Sequence, residues 1–352
     1  MARKSAARTV DITAGQTSTD TPLALGERLV SSVFADTEDG KTAPSGAIIR
    51  MGSPNTDAAR ILVSDPAYTW VKDTMKAAQM ICSGAVAKNW LIDGPPGCGK
   101  TEFAYQLASR TGRAVTVIEC HEGIEADSLF SSLEPSDETK SGFKRVAGPI
   151  ANAMVAGDLL VLDELKGLRP AVQMALYNLL DGRPVQIRHS GETVTPHEDF
   201  RVIATVNDVA DEKRSSFKGA FPLTDPLKSR FAALRFAPLS PPEEMKALVA
   251  RAVGLSPKMA TYLVTIANVV RAEAIGGMMR EFSFRELIVA GRLLVAERGP
   301  ASGIADEASA DASRQWQSLE KAVFVAYCDK EGSSVSPRLK QIIADHKSLM
   351  TQ

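Results

Sequence analysis

The stretch GPPGCGKT, at positions 94–101, constrains the fold of this 352-residue chain more than any other feature. It follows the apolar run NWLI at 89–92, which predicts a buried strand, and it precedes a helical pattern over 101–109. Its spacing, a glycine, any four residues, then glycine, lysine and threonine, is that of the phosphate-binding loop. That motif requires a strand before it and a helix after it, and the sequence predicts both.

The residue types in this loop suit a nucleoside triphosphate. Glycines let backbone N–H groups turn towards phosphate oxygens, because a Cβ atom would block that approach. The helix that follows directs its positive end at the same anion. Lysine reaches the β- and γ-phosphates, and the threonine hydroxyl ligates Mg²⁺. The predicted nucleotide-binding residues are Gly94, Pro95, Pro96, Gly97, Cys98, Gly99, Lys100 and Thr101.

Polar side chains end two further predicted strands. The run LLVLDE at 159–164 is an apolar strand that finishes in two acids. Beside a phosphate loop, Asp163 is expected to bind Mg²⁺ and Glu164 to polarise the attacking water. The strand FRVIATV at 200–206 is followed by Asn207, whose amide would orient the same water. Asparagine is also favoured in turns at strand ends, so that alternative stays open for Asn207.

The order of the predicted elements indicates an α/β fold. Strands at 89–92, 114–119, 159–162, 200–206 and 232–236 alternate with helical patterns, which predicts a parallel sheet flanked by helices. Helical patterns alone follow Pro238, which predicts a small helical domain. A helix is also expected over 67–83. The predicted division is a flexible N-terminal arm at 1–64 with one short helix near 23–34, an α/β core at 65–238, and helices at 239–352.

Composition excludes several classes of protein. A net charge of −1 and a pI near 6.5 give no basic field for nucleic acid or an anionic membrane. No run of about 18 apolar residues predicts a membrane span, and the basic N-terminus lacks the apolar core of a secretory signal. The four cysteines do not pair at zinc-site spacings, so free thiols in a reducing cytoplasm are expected.

Taken in order, the phrases GPPGCGKT, LLVLDE, VIATVND, LKSRF and FSFRELI resemble an AAA+ ATPase over about residues 66–298. More narrowly, the chain resembles the MoxR branch, which is close to the ATPase subunits of cobalt and magnesium chelatases. The resemblance implies ATP as the nucleotide, an AAA+ core followed by a helical lid, and a homo-oligomeric ring, usually a hexamer. It also implies a hairpin within 133–150, whose Phe143, Lys144 and Arg145 would face a client, and a hairpin around 190–192.

The same resemblance assigns three polar residues. Asn207 matches the sensor-1 position. Arg230 matches the arginine finger that reaches the γ-phosphate of a neighbouring subunit, and Arg285 matches the sensor-2 arginine of the lid. A guanidinium suits both tasks because it stays charged and binds phosphate in a forked geometry. The chain departs from the family pattern at Ser229, where an acid is usual, and around Ser283. The alternatives stay open that Arg230 is an exposed charge at a helix end and that Arg285 is an exposed residue of the lid.

Several functions are compatible with these motifs. The leading hypothesis is a cytoplasmic MoxR-type chaperone that remodels a client protein, together with a separate partner carrying a von Willebrand factor A domain. The first alternative is the ATPase subunit of a cobalt- or magnesium-chelatase-like complex. A restriction-type nucleic-acid motor is disfavoured by the near-zero charge and by the lack of interleaved basic and aromatic residues. An inactive nucleotide-binding ring is disfavoured by the acids and the asparagine at the strand ends.

Overall fold

The computed structural model describes residues 27–34, 48–51, 60–137, 142–187, 191–207, 221–275, 281–298, 312–327 and 336–346. In chain order the strands are β1 (Glu27–Leu29), β2 (Ile48–Arg50), β3 (Asn89–Gly94), β4 (Val115–Glu119), β5 (Ser131–Pro135), β6 (Phe143–Ala147), β7 (Leu159–Asp163), β8 (Val185–Gln186), β9 (Thr193–Val194), β10 (Arg201–Asn207) and β11 (Ala232–Arg235). The helices are α1 (Val30–Val33), α2 (Lys72–Ser83), α3 (Lys100–Arg110), α4 (Ala126–Phe130), α5 (Pro149–Ala156), α6 (Pro170–Ala175), α7 (Tyr177–Leu180), α8 (Asp225–Lys228), α9 (Pro241–Arg251), α10 (Pro257–Ile275), α11 (Phe284–Arg298), α12 (Ala312–Tyr327) and α13 (Ser336–Asp345).

A five-stranded parallel sheet forms the centre of the core, in the order β11-β3-β10-β7-β4. Its three middle strands are almost wholly buried, which explains their nearly continuous apolar sequences. Side chains alternate between the two faces. Trp90 and Ile92 pack on one side with helices α2 and α3, whereas Leu91 packs on the other with α5 to α7. The predicted α/β sheet is therefore confirmed.

The helices after β11 pack around a separate apolar cluster. Residues of α9 to α13 meet there, and Leu263, Leu287 and Val323 are fully buried within it. Pro241 lies in the first turn of α9, where its missing N–H is tolerated, and Ser240 caps that helix with Glu243. The predicted helical domain is confirmed. No helix in the described ranges combines the length and apolar character that crossing a membrane needs.

Two hairpins occur where they were expected. Strands β5 and β6 pair antiparallel between α4 and α5, and β8 and β9 pair antiparallel around Gly191. The β5–β6 hairpin exposes Leu133 and Phe143, each with more than half of its surface open. It therefore carries apolar side chains on its outer surface.

Helix α2 begins at Lys72, later than the predicted start at 67. Asp65 forms a turn instead, because its Oδ1 atom accepts from the Ala67 N–H at 2.9 Å and its carbonyl accepts from the Tyr68 N–H. The Thr74 hydroxyl then accepts from the Val71 N–H and satisfies a helix-start donor. These local side-chain hydrogen bonds therefore delay the start of α2 relative to the helix that the apolar pattern predicted.

Part of the N-terminal segment, at 27–34 and 48–51, packs on the core, where a mostly flexible arm with one short helix near 23–34 was predicted. Strands β1 and β2 pair antiparallel, and α1 is a single turn. Phe34 is buried edge-on against Trp70, with ring centroids 4.7 Å apart. Arg110 lies over both rings. The remaining residues of the predicted arm lie outside the described ranges, apart from 60–64.

Candidate functional site

The phosphate loop lies at the carboxyl end of β3. A Cβ atom on Gly94 would lie 2.4 Å from the Phe236 carbonyl oxygen, so only glycine fits there. Gly97 and Gly99 have φ angles of 78° and 89°, in the left-handed region that glycine favours. Pro95 accepts a hydrogen bond from the Cys98 N–H, and Pro96 is exposed at the loop tip. The loop is thus a tight turn that opens directly into α3.

Lys100, the charged residue of the loop, is only 7% exposed. Its ammonium donates to the carbonyl oxygens of Gly94 and Pro95, each at 2.8 Å, and to Asn207 Oδ1 at 2.9 Å. The Cys98 sulphur lies 3.8 Å away. These partners are all uncharged, and burying a cation without a counter-charge is unfavourable. The arrangement therefore suits an anion in the loop.

Thr101 and Asp163 meet at the start of α3. The Thr101 hydroxyl donates to Asp163 Oδ1 at 2.8 Å. The Thr205 hydroxyl donates to the same oxygen and accepts from the Glu164 N–H at 3.0 Å. Strand β10 thereby holds the acidic end of β7 through one buried hydroxyl. A hydroxyl and a carboxylate are hard oxygen ligands, and Mg²⁺ is usually held by one or two carboxylates together with substrate phosphates.

Glu164 has an unusual backbone. Its φ of 56° makes it the sole non-glycine residue with positive φ in the described part of the chain. Such strain persists where the surroundings over-determine it and often occurs at functional sites. The Glu164 side chain is exposed, and Asn207 ends the neighbouring strand. Both residues predicted to act on the attacking water therefore lie at the carboxyl end of the sheet, where the phosphate loop also lies.

Arg230 lies at the opposite end of the sheet. Its carbonyl accepts from the side chain of Asn89, the first residue of β3, whereas the phosphate loop begins at Gly94, the last one. Five residues of extended strand separate these points by about 17 Å, further than an arginine side chain reaches. The structure therefore groups the loop, Asp163, Glu164 and Asn207, and leaves Arg230 outside that group.

Arg285 lies on the lid, near the loop. It is exposed in the first turn of α11, two residues after Ser283. A Cβ atom on Gly97 would lie 3.0 Å from Ser283 Cβ, so the start of α11 contacts the phosphate loop. Arg251 at the end of α9 also joins lid to core, with a 3.0 Å ion pair to Asp65. The helix that carries Arg285 therefore begins beside the phosphate loop of the same chain.

Two thiols near the site are held protonated. Burial raises the pKa of the Cys98 thiol, and the Lys100 ammonium partly opposes that shift. Burial, followed by the negative charges of Asp163 and Glu164, raises the pKa of Cys120 from 9.0 to about 12. The three described cysteines are free, as expected, and Cys328 lies outside the described ranges. Neither thiol near the site is therefore an activated nucleophile.

Two family models match the chain. The first, described as "AAA domain (dynein-related subfamily)", matches residues 89–231, and the second, "CbbQ/NirQ/NorQ C-terminal", matches residues 244–322. The first covers four of the five strands of the central sheet and the phosphate loop, and the second covers α10, α11 and most of α9 and α12. The chain carries an AAA domain followed by a CbbQ/NirQ/NorQ C-terminal domain. The recognition made from the motifs is confirmed.

Known proteins similar to this AAA+ chain include protein CbbQ of Hydrogenophilus thermoluteolus. It is 26% identical over 67% of this chain and 85% of CbbQ. An uncharacterised protein of Staphylococcus saprophyticus is 30% identical over 42% of this chain, which spans 55% of that relative's length. Among solved structures, the RuvB Holliday junction branch migration motor of Thermotoga maritima matches 76% of this chain and 73% of its own, with 17% identity and a TM-score of 0.45.

Sequence reasoning missed Thr205, Asp181 and Arg251. Thr205 had a signal, because side chains two residues apart on a strand share a face, and Thr205 precedes Asn207 by two. Asp181 lies just after α7 and binds Arg230, and local sequence spacing does not predict such a long-range pairing. Arg251 likewise pairs across the junction between lid and core.

Proposed function

We propose that this chain binds ATP with Mg²⁺ and hydrolyses it to ADP and phosphate. The buried Lys100 ammonium carries the proposal, because its described partners are uncharged. The next residue, Thr101, donates to Asp163, and these two side chains supply oxygen ligands for Mg²⁺. A triphosphate would supply the missing negative charge, and Mg²⁺ would balance the triphosphate. ATP rather than another nucleotide is proposed from membership of the family.

The chain's own residues divide the work. Backbone N–H groups of the loop and Lys100 hold the phosphates. Thr101 and Asp163 hold Mg²⁺, which when bound neutralises charge on the phosphate oxygens. Glu164 accepts a proton from the attacking water, and Asn207 orients that water. Thr205 keeps Asp163 and Glu164 in register through its two hydrogen bonds.

We further propose that the active site is shared between neighbouring copies in a ring, most simply a hexamer. Arg230 lies too far from its own loop to contact that phosphate, whereas an arginine at the amino end of the sheet would be available to a neighbour's site. The helix that carries Arg285 begins beside its own loop, and Arg285 would contact the nucleotide from there. Hydrolysis would then move the lid against the core.

The output we propose is remodelling of a client protein, with a partner that carries a von Willebrand factor A domain. The hairpin β5–β6 supports a client contact, because Phe143 is exposed beside exposed Lys144 and Arg145. Aromatic side chains and arginine are enriched at protein interfaces, which favours Phe143 and Arg145 as contact residues. The family membership of the helical region is the other support for this choice.

Phosphate release by wild type and by Glu164→Gln tests hydrolysis. We expect Mg²⁺-dependent release by the wild type and a loss of at least about 100-fold in the variant, with nucleotide binding retained. Glu122→Gln, which changes an exposed acid outside the site, is the matched control. Equal rates for wild type and Glu164→Gln would contradict the proposal. If hydrolysis is confirmed, Glu164→Gln is also the variant with which to trap clients.

A further inference from the structure

The guanidinium of Arg230 is fixed by its own chain at the amino end of the sheet. Its Nε and Nη2 atoms donate to the two oxygens of Asp181, at 2.8 and 3.2 Å. Its Nη1 atom donates to the Pro226 carbonyl. Both members of the ion pair are about one quarter exposed. The pair is therefore two-pronged and partly shielded, unlike a simple surface contact between long side chains.

An aromatic ring supports the same guanidinium. The Arg230 Cζ atom lies 4.3 Å from the centre of the Tyr177 ring, within the range of a cation–π contact. The Tyr177 hydroxyl is itself hydrogen-bonded to the Thr224 hydroxyl at 2.9 Å. The ring therefore has a fixed orientation, and it restricts the guanidinium plane from one side.

The backbone beneath this pair is also fixed. The side-chain amide of Asn89 donates to the Leu180 carbonyl at 2.6 Å and to the Arg230 carbonyl at 3.2 Å. Leu180 precedes Asp181, so one largely buried amide joins the chain segments that carry both ends of the ion pair. Displacement of either segment would break at least one of these bonds.

We propose that Asp181 and Tyr177 are positioning residues that aim the Arg230 guanidinium at the nucleotide of a neighbouring copy. A guanidinium has five N–H donors, and the contacts within the described residues use three of its nitrogens once each. Donors remain on the two terminal nitrogens for a phosphate. The proposal rests on the shared site proposed above and adds the residues that make Arg230 rigid.

Rigidity matters because an arginine on a long free side chain loses rotamer freedom when it binds phosphate. Here that freedom is already restricted before the neighbour arrives. The negative charge of Asp181 partly neutralises the guanidinium. We therefore expect Asp181 to improve the orientation of Arg230 and not its electrostatic attraction for phosphate. Misplacement of a positioned group by about 1 Å lowers turnover by up to roughly 100-fold, and loss of Asp181 is expected to act in this way.

Mixed rings test the proposal. Asp181→Asn keeps the size of the side chain and removes its charge, and we expect kcat for ATP to fall about tenfold while KM changes less than about twofold. Glu164→Gln subunits are inactive but carry an intact Arg230 with its partners. Mixing equal amounts of the two variants should therefore raise turnover per Asp181→Asn subunit severalfold. Asp225→Asn, which removes an exposed carboxylate from α8, should show neither effect.

A parallel mixture of Arg230→Ala with Glu164→Gln separates the two proposals. If that mixture regains turnover while Asp181→Asn has wild-type kcat, or gains nothing on mixing, Arg230 acts in a neighbour's site but Asp181 does not position it. If neither mixture regains turnover, the shared site fails and the positioning role fails with it. Regain in both mixtures supports both proposals.

A second pair of variants keeps the test independent of folding defects at Asp181. Tyr177→Phe retains the ring under the guanidinium, and Tyr177→Leu removes it. We expect Tyr177→Phe to keep kcat within about twofold and Tyr177→Leu to lose about fivefold, with regain on mixing with Glu164→Gln. Equal kcat for these two variants would overturn the role of Tyr177.

Discussion

The two ends of the central sheet are built for different tasks. At the carboxyl end, Lys100, Thr101, Asp163 and Asn207 are joined by hydrogen bonds within one chain. At the amino end, Arg230 is held by Asp181 and Tyr177, far from the loop of its own chain. Under the proposed shared site, nucleotide binding is a property of a single copy, whereas rapid hydrolysis requires two.

The ends also differ in how the chain builds them. The carboxyl ends of parallel strands all lie at the same end of the sheet. Short motifs that follow β3, β7 and β10 are therefore brought together by the strand pairing itself. The amino end is assembled from the residues after α7 and α8, which Asn89 ties together. A substitution at each end should therefore affect a different kinetic quantity.

The largest effect is expected at the amino end. Arg230→Ala should lower kcat by roughly 100-fold or more, because an arginine that meets transition-state charge in trans commonly contributes at least that much. Nucleotide affinity, measured by fluorescence with a labelled ADP, should stay within about twofold of wild type. Arg183→Ala, an exposed arginine close to Asp181, is the matched control. A large loss of affinity in Arg230→Ala would place the residue in its own chain's binding site.

Thr205→Val tests whether the carboxyl end depends on the hydroxyl that joins β10 to β7. The substitution keeps the shape, removes a donor to Asp163 and leaves the Glu164 N–H without its partner. We expect kcat to fall about tenfold and the Mg²⁺ concentration for half-maximal turnover to rise. Thr205→Ser retains the hydroxyl and should restore most activity. If Val and Ser behave alike, the hydroxyl has no role.

Arg285→Ala tests whether the lid contributes to binding on the same chain. Loss of one exposed charge beside the loop should weaken ATP affinity by about fivefold, because charge-assisted contacts at exposed sites contribute about 1 kcal/mol. Arg292→Ala, on the same helix, removes an arginine that bonds a lid carbonyl and should leave affinity unchanged. Isothermal titration measures both. Normal affinity with lowered kcat in Arg285→Ala would move this residue to the hydrolytic step.

The smallest expected effect is a pH dependence of stability from Cys120. Its folded pKa of about 12 lies above the ordinary value of 9.0, so between these values the unfolded chain loses a proton that the folded chain keeps. Stability should therefore fall as pH rises through this window, by about 1 kcal/mol per pH unit from this group. Urea unfolding at pH 8 and pH 10 should show a smaller decline in Cys120→Ala. Equal declines in both proteins would show that Cys120 does not contribute to the pH dependence of stability.

The sequence predicted the carboxyl end well and the amino end poorly. Glycine spacing, the acids after β7 and Asn207 after β10 are local signals, and the structure brings them together. Asp181 binds Arg230 across 49 positions, and Asn89 contacts the Leu180 carbonyl across 91, so no periodicity encodes them. The packing of Phe34 on Trp70 was missed for the same reason, because the two residues are far apart in sequence and the short helix predicted near 23–34 specified no partner for Phe34.

Dilution of the wild-type protein tests the central claim most directly. Turnover per chain and affinity for a labelled nucleotide would be measured over a range of protein concentrations, with light-scattering mass at each point. We expect turnover per chain to collapse as ring-sized mass gives way to single chains, while affinity stays constant within about twofold. Constant turnover per chain from a stable monomer would contradict the account, because it would show that one copy contains every group that hydrolysis needs.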